Sequence, residues 1–317
     1  MADRHFRTLP DDISDAYYFK LLEKYRIDHL RRLRGSGGGE RMVRRTGGAV
    51  EFAGHRSYDP GDDLRYLDWH LLARLNSPFT KTFHDQEYHH VHLLLDASAS
   101  MEGMDGGRKF RIAQDVASAL SFLILANDDR LRVACTPGSA KSPYVYASQR
   151  FLIGRHQMPI LRRFLTNRHA QGIAAFDEGF AKYAHENQRR MSTLVIVSDF
   201  LSEIDDLMAG LASFTATGCH MVLIRIVEPQ ERALTPDRSM VKIRDMETGA
   251  ERTLSLDDSN RAEYSRAFES HARQIRQYCQ SHRIAYGEID TGKPWHDPRI
   301  PGSLLEQLRH LNLLRTM

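Results

Sequence analysis

The chain reads as an α/β protein, a mostly parallel sheet with helices on both faces. Three observations predict it. Val91-His92-Leu93-Leu94-Leu95, Leu194-Val195-Ile196-Val197 and Met221 to Val227 are short apolar runs, the mark of strands buried on both sides. Longer stretches between them carry apolar residues at helical spacing. Strands alternating with helices require crossover connections, and those build a parallel sheet.

Taken in order, residues 16–34 predict a helix, with Tyr18, Leu21, Leu22, Tyr25, Leu30 and Leu33 on one stripe. Lys20, Lys24, Arg26, Arg31, Arg32 and Arg34 form the opposite face. Gly35-Ser36-Gly37-Gly38-Gly39 breaks the pattern, and residues 20–45 hold nine Lys and Arg against three acidic residues, so the stretch is locally basic. The plain reading is a solvated face and a linker. The functional reading is a docking surface for an acidic partner or phosphate, with Lys20, Lys24, Arg31, Arg32 and Arg34 as contacts. The glycines are not a phosphate loop, because no Gly-Lys-Ser/Thr follows and no apolar strand leads in.

Residues 49–90 show little long periodicity. Asp59-Pro60-Gly61-Asp62-Asp63 is a turn, since Pro presets φ and Gly permits positive φ. Arg56, Tyr58, Arg65, Asp68, Trp69, His70 and Arg74 surround it, and ion pairs of Arg56, Arg65 and Asp68 are expected to knit the segment onto the α/β domain. Phe79 to Phe83 and Tyr88 to Leu95 read as extended. A helix over 108–126 and a strand from Leu131 to Cys135 follow. Helices are predicted near 156–165 and 175–187, the strand Leu194 to Val197 comes next, then a helix near 203–213 and the strand Met221 to Val227. Residues 240–256 alternate around Glu247-Thr248-Gly249, a hairpin signal. A helix near 259–282, a strand near 284–289 and a helix near 303–313 complete the pass. Three parts are expected: a basic helix and Gly-rich linker over 1–48, an extended segment over 49–90, and an α/β domain over 91–317 with the hairpin as an insertion.

Composition narrows the function classes. The 317 residues are 41% hydrophobic and 27% charged, which fits a globular chain and excludes global disorder. A net charge of +3 is too mild to argue for nucleic acid. Cys135, Cys219 and Cys279 are far apart and form no CxxC, which excludes a disulfide framework and fits a reducing cytoplasm. No apolar run follows Met1, and the longest, near Leu120 to Ala126, is too short to span a bilayer. A cytoplasmic protein without an integral membrane segment is the expectation.

In an open parallel sheet, ligands sit beyond the carboxyl ends of the strands. Asp96, Ser98 and Ser100 follow the first buried strand there, and Asp199 ends another. Carboxylate and hydroxyl oxygens are hard ligands suited to Mg²⁺ or Mn²⁺. The plain reading of Asp-x-Ser-x-Ser is a capped turn. His84, His89, His90 and His92 cluster in sequence but lack an identifiable third convergent ligand, and solvated or packing histidines explain them better. Adjacent Asp62 and Asp63 read as ion-pair partners rather than an acid/base pair. Ser98 and Ser100 lie in no Gly-x-Ser-x-Gly elbow. Trp69 and Trp295 read as core or interface anchors.

Asp96-Ala97-Ser98-Ala99-Ser100-Met101 resembles the first loop of the metal-ion-dependent adhesion site in von Willebrand factor A domains. Glu51-Phe52-Ala53, Arg56-x-Tyr58-x-Pro60-Gly61-Asp62-Asp63-x-Arg65-x-x-Asp68-Trp69, Ala73-Arg74, Lys81-x-Phe83 and Glu87 resemble the bacterial family called domain of unknown function 58. Ser198-Asp199-Phe200, Glu228-Pro229-x-Glu231 and Asp245-x-Glu247-Thr248-Gly249 match its pattern too. The resemblance runs from about residue 17 to 290. It implies a von Willebrand factor A-like fold, a non-enzymatic adaptor role, and a MoxR-type AAA+ ATPase and/or a client protein as partner. It also implies a cation site at Asp96, Ser98, Ser100 and Asp199. One position departs: such domains supply a threonine from a second loop, and here Gln171-Gly172-Ile173 stands in that place. The rival reading is a metal-dependent hydrolase built on Asp96, Asp199 and the histidines, whose requirement is three convergent ligands with an open water position.

Overall fold

A computed structural model of the chain describes residues 20–27, 51–84, 89–104, 106–137, 147–148, 150–174, 176–188, 191–232, 240–244, 246–247, 249–255, 257–296 and 302–316. The chain divides into two units, residues 35–88 and residues 1–34 with 89–317.

Strand β1 (Tyr25–Ile27) opens the larger unit. The smaller unit holds β2 (Glu51–Ser57), α1 (Trp69–Leu75) and β3 (Phe79–His84). There β2 and β3 pair antiparallel, and the connection between them contains the Asp59–Asp63 turn and α1. Gly61 takes φ +108°, as the turn requires. Asp68 caps α1 by accepting the His70 and Leu71 amides at 3.0 and 3.1 Å.

The larger unit continues with β4 (His90–Asp96), α2 (Arg108–Ala126), β5 (Arg130–Thr136) and β6 (Ala147–Ser148). Then come α3 (Met158–Thr166), α4 (Phe176–Asn187), β7 (Thr193–Ser198), α5 (Ile204–Thr215), β8 (His220–Val227) and the short α6 (Pro229–Arg232). The hairpin strands β9 (Met240–Arg244) and β10 (Glu251–Ser255), α7 (Asp258–Ser281), β11 (Ala285–Asp290), α8 (Leu304–His310) and β12 (Leu314–Thr316) complete it.

The main sheet runs β11-β8-β7-β4-β5-β6, parallel throughout except for the antiparallel edge strand β6. The strand pattern explains why both faces are covered. Val91, Leu93 and Leu95 of β4 join a core with α2, α3 and α8, while Leu94 joins a second core with α4, α5 and α7. From β4 the chain moves to β5 on one side and later returns to β7 on the other. In open α/β sheets such a reversal is where ligands are bound, and here it lies at the carboxyl ends of β4 and β7.

The predicted fold class is observed, and the buried strands and the long helices lie close to where the sequence puts them. The N-terminal helix is corrected. Residues 20–22 are helical, but Tyr25–Ile27 is a strand paired antiparallel with Leu314–Thr316. Leu22 is fully buried against the main core, and Leu21 and Tyr25 pack beside it. The stripe marks real burial at Leu21, Leu22 and Tyr25; pairing with β12 makes residues 25–27 strand rather than helix. Lys20 and Lys24 are exposed there, whereas Arg31, Arg32, Arg34 and the glycine run lie outside the described residues. No described helix is long and apolar enough to cross a membrane.

Candidate functional site

The Asp96 loop is built by its own backbone. Asp96 ends β4 opposite Thr136 of β5, and its Oδ1 accepts the Ser98 amide at 2.9 Å. Ser198, the last residue of β7, donates its hydroxyl to Asp96 Oδ2 at 2.5 Å and accepts the Phe200 amide at 2.8 Å. One carboxylate thus ties two adjacent strand ends together. The loop is clamped on its other side, where the Gln171 amide donates to Ala97 O and the Ala99 amide to Gly172 O. Ser98 Oγ and Ser100 Oγ lie 2.9 Å apart, so both hydroxyls converge.

Asp199 stands on a turn in which buried Phe200 adopts φ +54°, an uncommon conformation for an aromatic residue. Its Oδ1 accepts the Leu201 amide at 3.0 Å, and its carbonyl accepts Arg225 Nε at 3.0 Å. Its Oδ2 receives Lys109 Nζ at 2.5 Å. Lys109 is 0% exposed and also donates to Glu231 Oε1 at 2.5 Å and to the Ser100 carbonyl at 3.3 Å. Burial works against its ammonium, but Asp199 and Glu231 outweigh it, and the Lys109 pKa is raised. Glu231 in turn takes the Glu228 amide at 2.9 Å, and Glu228 takes the Met104 amide at 2.8 Å. The far end of the loop is therefore held by a second acidic pair.

Negative charge exceeds positive in this space. Asp96, Asp199, Glu228 and Glu231 are buried, while the buried cations beside Asp199 are Lys109 and Arg225. Asp96 is pushed up to about 6, by burial first and by Asp199 next. Glu247, from the turn between β9 and β10, accepts the Ala174 amide at 3.2 Å and is pushed up to about 7, by burial first and by Asp96 next. A crowded carboxylate set relieves itself by holding protons or by taking a cation.

The residues fit a divalent ion in donor chemistry and charge. Asp96, Ser98 and Ser100 supply hard oxygens on one tight loop, with Asp199 beside them. Ile173 is 45% exposed and supplies no oxygen, and Thr166 is exposed at the end of α3. Among the described residues, no group of three His, Cys, Asp or Glu forms a metal site by itself. The serine hydroxyls would have to complete the shell.

The remaining candidates fall elsewhere. His92 is buried, with Nδ1 2.8 Å from the Tyr183 hydroxyl and its ring against Phe151. His89 Nε2 meets Thr193 Oγ1 at 2.9 Å, and His90 packs edge-on against Phe151. The His84 side chain lies outside the described residues. Trp295 is in the core.

In the smaller unit, Arg56 pairs with Asp62 at 2.5 Å and with Asp59 at 3.1 Å, and Arg65 with Asp63 at 2.6 Å. Asp68 meets His55 at 2.9 Å and Lys81 at 3.6 Å. These partners all lie within residues 55–81, so the pairs knit the segment to itself. Trp69 starts α1 with its ring largely exposed, the Tyr58 amide donates to Pro78 O, and the Asp62 amide donates to Asp59 O, closing the turn over Pro60 and Gly61.

Sequence reasoning passed over Lys109. It stands three, four and seven residues before Ile112, Ala113 and Val116, all buried, which places it on the apolar face of α2. A charge on an apolar stripe signals a buried ion pair.

The uncharacterized proteins Rv1480 of Mycobacterium tuberculosis and Mb1516 of Mycobacterium bovis are each 28% identical over 290 residues, covering 90% of this chain and 89% of theirs. Among solved structures, the conserved hypothetical protein BatB from Bacteroides thetaiotaomicron is similar at 13% identity and a TM-score of 0.35, over 61% of this chain and 99% of that one. A von Willebrand factor type A protein from Catenulispora acidiphila is similar at 14% identity and a TM-score of 0.35, over 47% of this chain and 35% of that one. The fold assignment rests on the sheet order rather than on those scores. The family described as "Protein of unknown function DUF58" matches residues 54–274, more than half of the chain, and the protein belongs to it.

Proposed function

We propose that the protein is a cytoplasmic interaction module that docks a partner at the carboxyl ends of β4 and β7. The observation that carries this reading is the buried, oxygen-rich, negatively charged cluster around Asp96 at the point where the strand order reverses. Asp96, Ser98 and Ser100 would hold Mg²⁺ or Mn²⁺, with Asp199 beside them. When bound, the ion would supply a positive centre for a carboxylate of the partner. This chain's residues orient the loop, exclude water from its floor and balance charge through Lys109. Family resemblance points to a MoxR-type AAA+ ATPase as that partner, with Lys20 and Lys24 offering a second, basic contact. The adaptor reading is supported over hydrolysis by the site's chemistry: His89, His90 and His92 contact Thr193, Phe151 and Tyr183 rather than the serines in the interactions seen.

Binding of a purified MoxR-type ATPase from the same organism, measured by biolayer interferometry in Mg²⁺ and in chelator, tests the reading. Association that needs Mg²⁺ and is lost in Asp96→Ala is expected. No association under either condition contradicts it.

A further inference from the structure

The β9–β10 hairpin forms a two-stranded sheet of its own, apart from the main sheet. Between the paired Arg244 and Glu251, Glu247 is described and Gly249 takes φ +72°. Glu247 points from there into the larger unit. Its Oε2 accepts the Ala174 amide at 3.2 Å, and Ala174 follows the segment whose Gln171 and Gly172 clamp Ala97 and Ala99. Asp96 and Asp199 lie close enough to act on the same carboxylate as charges.

A glutamate on a polar hairpin turn gains most from full hydration. Bringing it beside two further carboxylates costs solvation and adds repulsion. Only a seat with a donor suited to a carboxylate offsets that, and the Ala174 amide is such a donor. The contact is therefore specific in geometry yet opposed by its surroundings, as a displaceable one must be. Its covalent tether gives it a high effective concentration at the seat.

We infer that Glu247 is the resident occupant of the docking site: it fills the seat taken by an acidic side chain of a partner, and the hairpin lifts away when that partner docks. This rests on the docking reading above and adds the partner's chemistry, a Glu or Asp presented on an exposed turn.

Titration calorimetry with Mn²⁺ alone tests it on wild type, Glu247→Gln and Glu247→Ala, each with and without tens of millimolar acetate. Hydrogen exchange at the Ala174 amide is followed in parallel. Both variants are expected to bind Mn²⁺ roughly 10–100-fold more weakly. Acetate restores affinity in Glu247→Ala and leaves wild type unchanged, because its seat is filled. The Ala174 amide exchanges roughly tenfold faster in Glu247→Ala, the loss expected for one hydrogen bond to a charged acceptor. Equal Mn²⁺ affinity in all three proteins without an acetate response overturns the inference and leaves the cation site standing. If none binds Mn²⁺, the cation reading fails and exchange decides the inference alone. Faster exchange then keeps Glu247 as occupant of a cation-free seat, and unchanged exchange overturns it.

Discussion

Lys109 sets the electrostatics of the site. Its ammonium is enclosed with Asp199 and Glu231, and removing it leaves two buried carboxylates facing each other. Lys109→Met should destabilise the fold by about 3–5 kcal/mol in urea unfolding, the usual cost of breaking one side of a buried ion pair. Asp96 and Glu247 impose a pH dependence. Their ordinary values of 3.8 and 4.5 rise to about 6 and about 7, so the folded state holds more protons than the unfolded state between about pH 4 and 7. Their contribution to stability therefore falls as pH rises through that window. In chelator, the urea midpoint should carry this downward contribution, and Mg²⁺ should flatten it by stabilising the ionised carboxylates. Asp68 acts oppositely at lower pH. Its hydrogen bond to His55 lowers it to about 2, so its contribution is lost as pH falls from about 4 toward 2. The placement of Asp96, Ser98, Ser100 and Asp199 at the strand ends was legible because each sits at or just past the end of an apolar run. Lys109 was less so, because its burial shows only when the stripe of α2 is counted back to its first turn.

At the scale of the element, the loop after β4 depends on close approach. Gly103 adopts φ +71°, and a Cβ there would lie 2.6 Å from Glu228 Oε1. Gly103→Ala is expected to cost about 1–3 kcal/mol by thermal unfolding and to weaken any cation binding, since the clash moves the Ser100 segment. Helix α2 and strands β4, β7 and β8 were legible because burial on both faces leaves continuous apolar runs in the strands, and the helix has five turns in which to show its period. The three-residue strands β1 and β12 were not. A segment that short completes no period, and its pairing depends on residues almost three hundred positions away. Helix α1 was missed for a related reason: it is held by the Asp68 cap and buries none of its residues.

At the scale of the molecule, the sheet order turns these local features into one site. The reversal at β4 brings loops from residues 96–104, 171–174, 199–201 and 228–231 to one end of the larger unit, with the hairpin turn beside them. The sequence showed the strands and the Asp-x-Ser-x-Ser loop. It could not show that a lysine and a hairpin glutamate would converge on them, because convergence is a property of strand order. The central claim is that this end of the sheet binds a divalent cation through Asp96. Thermal unfolding of wild type and Asp96→Ala, each in chelator and in millimolar Mg²⁺ or Mn²⁺, tests it most directly. A cation at a hundred times its dissociation constant stabilises wild type by about 2.7 kcal/mol, a shift of several degrees, and leaves Asp96→Ala unmoved. Equal melting temperatures for wild type with and without the ion would contradict the claim.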